Sequence, residues 1–271
     1  MPVVPVADAL VHYDRFDSTA PGADSRPALV LVHGTGSVGA ALTWGQTVPR
    51  FADRTVLTPD LSGTERTVDG GGRLTTEGLA AQVIAVIEDA GTGPVDLLGF
   101  SMGAPVSATV AALRPDLVRR LILVAGWART EADEYTRNHF TLWQRLGAVD
   151  PEGFGRIVAM TGFSRGYLNT IGREGFEQLV PNMPPTPGTL RHVDLDLRVD
   201  IRAMLPRVEA ETLVIGCAQD ATVPVELSRA LHAELARTTT ASYAEIDAGH
   251  VVFFEKADEF VRRVTDFTAA A

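Results

Sequence analysis

Val95-Asp96-Leu97-Leu98-Gly99-Phe100-Ser101-Met102-Gly103 is the stretch on which the reading of this chain turns. Its first half is a short apolar run preceded by the turn signals Gly91, Gly93 and Pro94, and its second half opens a long apolar stretch over residues 102–113. A strand therefore runs into a helix through Gly99-Phe100-Ser101-Met102-Gly103, a Gly-x-Ser-x-Gly turn. Glycines on both sides let strand and helix approach closely, and the strained turn between them presents the serine hydroxyl at the sheet edge. Ser101 is the candidate nucleophile.

Outward from that turn the same rhythm repeats. Apolar runs rich in Val, Leu and Ile stand at 28–33, 55–59, 95–100, 121–125, 212–216 and 242–246, and helical patterns at 76–90, 102–113, 225–235 and 257–267. Continuous apolar strands alternating with helices predict an α/β fold, a mostly parallel sheet covered on both faces. The rhythm breaks over 128–205, which has no convincing strand and holds the cluster Pro181, Pro184, Pro185 and Pro187. We expect a core domain of residues 1–127 and 206–271, with a helical cap inserted at 128–205.

With 271 residues, 45% of them hydrophobic, the chain is long enough for one substantial core. A net charge of −10, spread along the chain, excludes the basic groove that nucleic acid requires. The single cysteine, Cys217, forbids an intramolecular disulfide and sits in an apolar run as a small core residue. Met1-Pro2-Val3-Val4-Pro5 lacks the basic start of a signal peptide, and no apolar run reaches the ~20 residues of a membrane span. The expectation is a cytoplasmic protein acting on a small molecule, without nucleic-acid or membrane partners; oligomeric state is not legible.

A serine hydroxyl is a poor nucleophile at neutral pH and needs a base. His250 follows Asp247-Ala248-Gly249 after the run at 242–246, in a loop able to swing an imidazole over Ser101. Asp220 lies just after the run at 212–216, where a carboxylate can reach the imidazole Nδ1 and fix its tautomer. Attack on a carbonyl creates an oxyanion that needs preorganised N–H donors. Met102, opening the helix, offers one; the loop His33-Gly34-Thr35-Gly36 offers the other, with Thr35 first and Gly36 in reserve. His33 is read as a loop brace, because a second base has no task here. For His12, His139, His192 and His232 a structural or surface role is expected.

His33-Gly34-Thr35-Gly36 with Trp44 beyond it, Pro59-Asp60, Gly99 to Gly103, Asp220 and Gly249-His250 together resemble the α/β-hydrolase superfamily, and are similar in spacing to its cofactor-free haloperoxidase-like esterases. The order Ser101, Asp220, His250 follows that family's pattern. The resemblance implies an eight-stranded, mostly parallel sheet, a Ser-His-Asp triad and an acyl-enzyme route without metal or organic cofactor. It departs at Leu61-Ser62-Gly63-Thr64-Glu65-Arg66, where many members carry a Gly-His-Gly-like turn.

His192-x-Asp194-x-Asp196 is a weak metal candidate if extended, and its apolar neighbours favour a solvated polar face instead. Phe140, Trp143, Phe154, Met160, Phe163, Tyr167, Phe176 and Met183 supply bulk able to roof a pocket. The candidate pocket residues are His33, Gly34, Trp127, His139, Phe140, Trp143, Val223 and Val251. The leading expectation is hydrolysis of a small, apolar ester, lactone or thioester. Carbon–carbon hydrolysis, a biosynthetic cyclisation and a non-enzymatic binding module stay open beside it.

Overall fold

All six apolar runs form strands of one sheet in the computed structural model, which describes residues 2–18 and 26–269. The ends of the expected core segments, Met1 and residues 270–271, lie outside the described residues, as do residues 19–25. In chain order the elements are β1 (Val3–Val6), β2 (Ala9–Phe16), β3 (Leu29–Val32), α1 (Ala40–Trp44), β4 (Val56–Pro59), α2 (Thr76–Ala90), β5 (Val95–Phe100), α3 (Gly103–Leu113) and β6 (Val118–Val124). Then follow α4 (Glu134–Val149), α5 (Pro151–Gly162), α6 (Arg165–Leu179), α7 (Pro187–Asp196), β7 (Glu211–Cys217), α8 (Val225–Leu235), β8 (Ala241–Ile246), α9 (Val252–Glu255) and α10 (Ala257–Ala269).

Among the described residues the sheet has eight strands in the order β1-β2-β4-β3-β5-β6-β7-β8. Pairing is parallel from β4 through β8, and antiparallel where β2 meets β1 and β4. Successive residues of the central strands point to opposite faces, and both faces are dry. Val30, Val32, Leu97, Leu121 and Val214 pack with α2, α3 and α8, whereas Leu29, Leu31, Leu98, Ile122 and Ile215 pack with Trp44, Phe260 and Val264. Burial on both faces is why these strands read as unbroken apolar runs.

The β1–β2 hairpin is an addition to the sequence-based expectation. Proline inside β1 and the polar residues His12, Asp14 and Arg15 inside β2 dilute the strand signal. Pro5 is tolerated because β1 is an edge strand, where a missing N–H costs no ladder bond. The atypical 61–66 turn is braced from β2: Arg66 binds both carboxylate oxygens of Asp14, and the His12 ring lies 3.2 Å from buried Asp60.

Between β6 and β7 the chain forms α4 to α7. Each of these helices opens on a capping side chain that accepts from the backbone three residues on: Asp133, Asp150, Ser164 and Thr186. Pro151 and Pro187 occupy the first helical position, where a missing N–H is harmless, so Pro187 starts a helix rather than preventing one. The segment leaves and returns side by side, because Thr130 N–H donates to Val199 O at 3.0 Å and Ile201 N–H to Ala128 O at 2.9 Å. Among the described residues no helix is long and apolar enough to cross a membrane.

Candidate active site

Ser101 stands at the turn between β5 and α3 with φ at 54°, the left-handed region a non-glycine residue rarely occupies. Its flanking glycines are required by close approach. A Cβ at Gly99 would fall 2.1 Å from Gly103 O, and one at Gly103 would fall 2.5 Å from Val32 O. The turn lifts Ser101 Oγ to 2.8 Å from His250 Nε2, and His250 Nδ1 donates to Asp220 Oδ2 at 2.7 Å. Asp220 Oδ1 accepts from the Thr222 and Val223 N–H groups, both at 2.8 Å, which fix the carboxylate at the end of β7. With Nδ1 donating to a carboxylate, the free lone pair of the imidazole sits at Nε2 and faces the hydroxyl. The Phe100 and Phe253 rings pack against this centre, Phe100 at 4.9 Å from the His250 ring. The buried Cys217 thiol points to the His250 carbonyl at 3.9 Å.

A cavity of about 440 Å³ opens over Ser101, within the range of small-molecule sites. Gly34, Thr35, Phe100, Ser101, His250, Val251, Phe253 and Phe254 line it from the sheet side, and Trp143, Val158, Phe163, Tyr167, Asn182 and Met183 from α4 to α6 and the segment after them. Apart from His250, the lining carries no ionisable side chain but Tyr167 among the described residues. Among the described residues no acceptor takes up the Thr35 or Met102 N–H, whereas Gly36 N–H is engaged by His192 Nδ1 at 3.2 Å.

Of the eight pocket candidates, Gly34, Trp143 and Val251 line the cavity. The other five are placed elsewhere. His33 is fully buried beneath the loop, its Nδ1–H donating to Gly34 O at 2.7 Å and its Nε2 accepting from Leu61 N–H at 3.1 Å. Val223 contributes its N–H to Asp220 instead of a side chain to the pocket. Trp127 donates to the Thr130 hydroxyl at 2.7 Å and packs on Phe140, forming the core beneath α4. His139 stacks on Tyr135 and sits 5.0 Å from the Trp143 ring, and burial pulls its pKa down to about 4, so it is neutral. Sequence reasoning missed Leu42, Gln46, Thr222 and the Phe253-Phe254 pair. The aromatic pair three residues past His250 was the one available signal, since loop neighbours of a base face the same space.

The metal candidate requires correction. His192, Asp194 and Asp196 lie on α7, not on an extended segment, so alternate residues diverge around the helix. Neither is this a solvated face: His192 and Asp196 are fully buried, while Asp194 pairs with Arg198 at 2.6 Å. Among the described residues no group of three or more His, Cys, Asp or Glu side chains is placed to hold a metal ion.

The model of the Alpha/beta hydrolase family matches residues 29–263. The chain belongs to the α/β-hydrolase family. It is 35% identical over 268 residues to the pyrrolizixenacetamide deacetylase of Xenorhabdus hominickii, covering 97% of this chain and 96% of that one. It is 28% identical over 259 residues to the 2-hydroxy-6-oxo-2,4-heptadienoate hydrolase of Pseudomonas putida, 89% of each. The enol-lactonase of Burkholderia xenovorans superposes with a TM-score of 0.82 at 22% identity, covering 99% of this chain and 100% of that one, a likeness of fold. These relatives and the family make this α/β-hydrolase a hydrolytic enzyme.

Proposed function

We propose that this enzyme is a serine hydrolase that cleaves the acyl bond of a small, uncharged ester or amide through an acyl-enzyme on Ser101. One observation carries the reading: the continuous relay from Asp220 through His250 to Ser101, with bonds of 2.7 and 2.8 Å, opening directly into a mainly apolar cavity. Ser101 Oγ attacks the carbonyl as His250 Nε2 takes its proton, and Asp220 stabilises the imidazolium. The N–H groups of Thr35 and Met102 receive the oxyanion. His250 then protonates the departing alcohol or amine, and water repeats the sequence to free the acid.

The substrate class follows from the lining. A charged substrate would lose its hydration on entry without meeting an opposite charge, so neutral acyl groups are favoured. A dienoate of the kind named for the Pseudomonas relative carries a carboxylate, and among the described residues no lysine or arginine lines this cavity to receive it. Amides join esters, lactones and thioesters because a deacetylase from Xenorhabdus is 35% identical to this chain along nearly its whole length. Residues 128–205 act as the cap, roofing the cavity with Trp143, Phe163, Tyr167 and Met183 and keeping bulk water from the developing charge.

Treatment with a fluorophosphonate, followed by intact mass and peptide mapping, tests this. One phosphonyl group on Ser101 that Ser101→Ala and His250→Ala both abolish is expected, together with turnover of neutral acetyl esters and N-acetyl amines. Folded protein that stays unlabelled at Ser101 would sink the proposal.

A further inference from the structure

The loop after β3 sends three consecutive residues onto one helix. The Thr35 hydroxyl donates to Asp196 Oδ2 at 2.5 Å, Gly36 N–H to His192 Nδ1 at 3.2 Å, and Ser37 N–H to Thr189 Oγ1 at 3.1 Å. Thr189, His192 and Asp196 are three and four residues apart, one face of α7, and all three are fully buried. The second His192 nitrogen donates to Ser62 O at 2.8 Å. The first turn of α7 touches the neighbouring turn backbone to backbone: a Cβ at Gly188 would fall 1.9 Å from Gly63 O.

Apolar packing would dock a helix with less desolvation, since a buried carboxyl without a cation is costly. Asp196 Oδ1 has no partner among the described residues. What this polar face supplies, and apolar packing does not, is direction. It binds the side chain of Thr35 and the two amides that follow it, and so sets the peptide planes around Thr35. Thr35 lines the cavity, and among the described residues its N–H has no acceptor.

We propose that α7 is the positioning element of the oxyanion site, with Asp196, His192 and Thr189 holding residues 35–37 so that the Thr35 N–H meets the substrate oxygen. The inference rests on Ser101 as nucleophile. None of the three α7 residues lines the cavity, so they act through the loop and not on substrate.

Asp196 gives this device a pH signature. Burial raises its pKa to about 8, and the Thr35 hydroxyl bond offsets part of that rise. Among the described residues its carboxyl is hydrogen-bonded by the neutral Thr35 hydroxyl, and its backbone carbonyl accepts from Thr130, also neutral. The nearby imidazoles His33 and His192 are both held neutral by burial, and the Asp194–Arg198 pair lies around the helix. At pH 7 the carboxyl is protonated. Above about pH 8 it becomes a negative charge behind Thr35, opposing the oxyanion.

The test compares wild type with Asp196→Asn, Asp196→Ala, His192→Asn and His192→Ala. For each, kcat and KM on a neutral acetyl ester are measured from pH 6 to 10, with amide hydrogen exchange of residues 33–38 and thermal midpoints. Asp196→Ala and His192→Ala should lower kcat at least tenfold with KM within about threefold, and speed exchange at 35–37. Asp196→Asn, which keeps an acceptor for Thr35, should retain kcat at pH 7 and lose the alkaline decline; His192→Asn should recover most of what His192→Ala loses. Unchanged kcat and unchanged exchange in both alanine variants would overturn the proposal, as would Asp196→Asn falling with Asp196→Ala. Wild-type labelling of Ser101 is measured first. Its failure removes the nucleophile reading alone, while exchange at 35–37 still decides whether α7 holds the loop.

Discussion

At the scale of single residues, the proposed chemistry depends on the direction of two protons. Asp220 holds the Nδ1 proton of His250, and its own second oxygen is fixed by two backbone amides. Asp220→Asn keeps the shape but presents an amide N–H or a neutral oxygen to the ring, so kcat should fall by about 10⁴-fold while KM stays within a few-fold, checked by steady-state kinetics on an acetyl ester. Asp196 acts on stability as well. Its carboxyl keeps a proton in the folded state up to about pH 8, whereas the unfolded chain releases it near pH 4. At this one group the folded state therefore binds more protons across that window, and the contribution of Asp196 to stability declines as pH rises from about 4 to about 8. Asp196→Asn should flatten this slope, so that its denaturation midpoint gains on wild type between pH 5 and pH 8; equal differences at both pH values would contradict the assignment.

At the scale of elements, the helices between β6 and β7 are tied to the site at named points. Glu255, ending α9, accepts from Ser164 N–H at 2.7 Å and from Gly249 N–H at 3.2 Å with one oxygen, and from the Ser164 hydroxyl with the other. Val251 N–H adds a bond to Gly162 O at 3.0 Å. The start of α6 and the loop carrying His250 thus share one carboxylate. Glu255→Ala should cost about 1–3 kcal/mol of stability and lower kcat more than Ser164→Ala does, measured by denaturant titration and kinetics. Trp143 closes the cavity from α4 and packs against Phe140 and Phe154. Trp143→Ala should cost about 3 kcal/mol and raise kcat/KM for longer acyl chains relative to acetyl, because the space vacated enlarges the cavity that Ser101 opens into. A chain-length profile unchanged from wild type would place the acyl group elsewhere.

At the scale of the whole molecule, one buried charge is shared between two cations. Asp96 on β5 is fully buried and binds Arg54 at 2.8 Å and Arg119 at 2.7 Å, joining the segment before β4 to the β5–β6 pair. Asp96→Ala leaves two guanidinium groups around an empty site and should destabilise by about 3 kcal/mol without altering kcat per folded molecule, read from chemical denaturation and active-site titration. Acid should act through the buried imidazoles. His192 and His139, lowered to about 3 and about 4 by burial, stay neutral in the fold while the unfolded chain protonates near pH 6.5. At these two groups the unfolded state therefore binds more protons below pH 6.5, and the stability that the neutral imidazoles contribute falls as pH drops from there toward 4.

The chain alone determined what depends on local pattern. Apolar runs without alternation announced strands buried on both faces, and Gly99 and Gly103 around Ser101 announced a turn too tight for side chains on either flank. Helices 76–90 and 225–235 were legible to the residue, because their apolar periodicity and ends are local. The β1–β2 hairpin was not, since an edge pair gains its burial from β4 and not from its own composition. The site divided in the same way. Ser101, Asp220 and His250, the proposed triad, were visible because each ends a strand or turn with its own signature. His33, Trp127, His139, Phe140 and Val223 were drawn into the pocket by proximity in sequence, yet their side chains point into packing or their backbone does the work. The α7 face that binds residues 35–37 had no local signature at all: His192 and Asp196 looked like a polar stripe until a helix more than 150 positions downstream was laid on the loop. Only tertiary structure decides such contacts, because a hydrogen bond between distant segments leaves no periodicity in either of them.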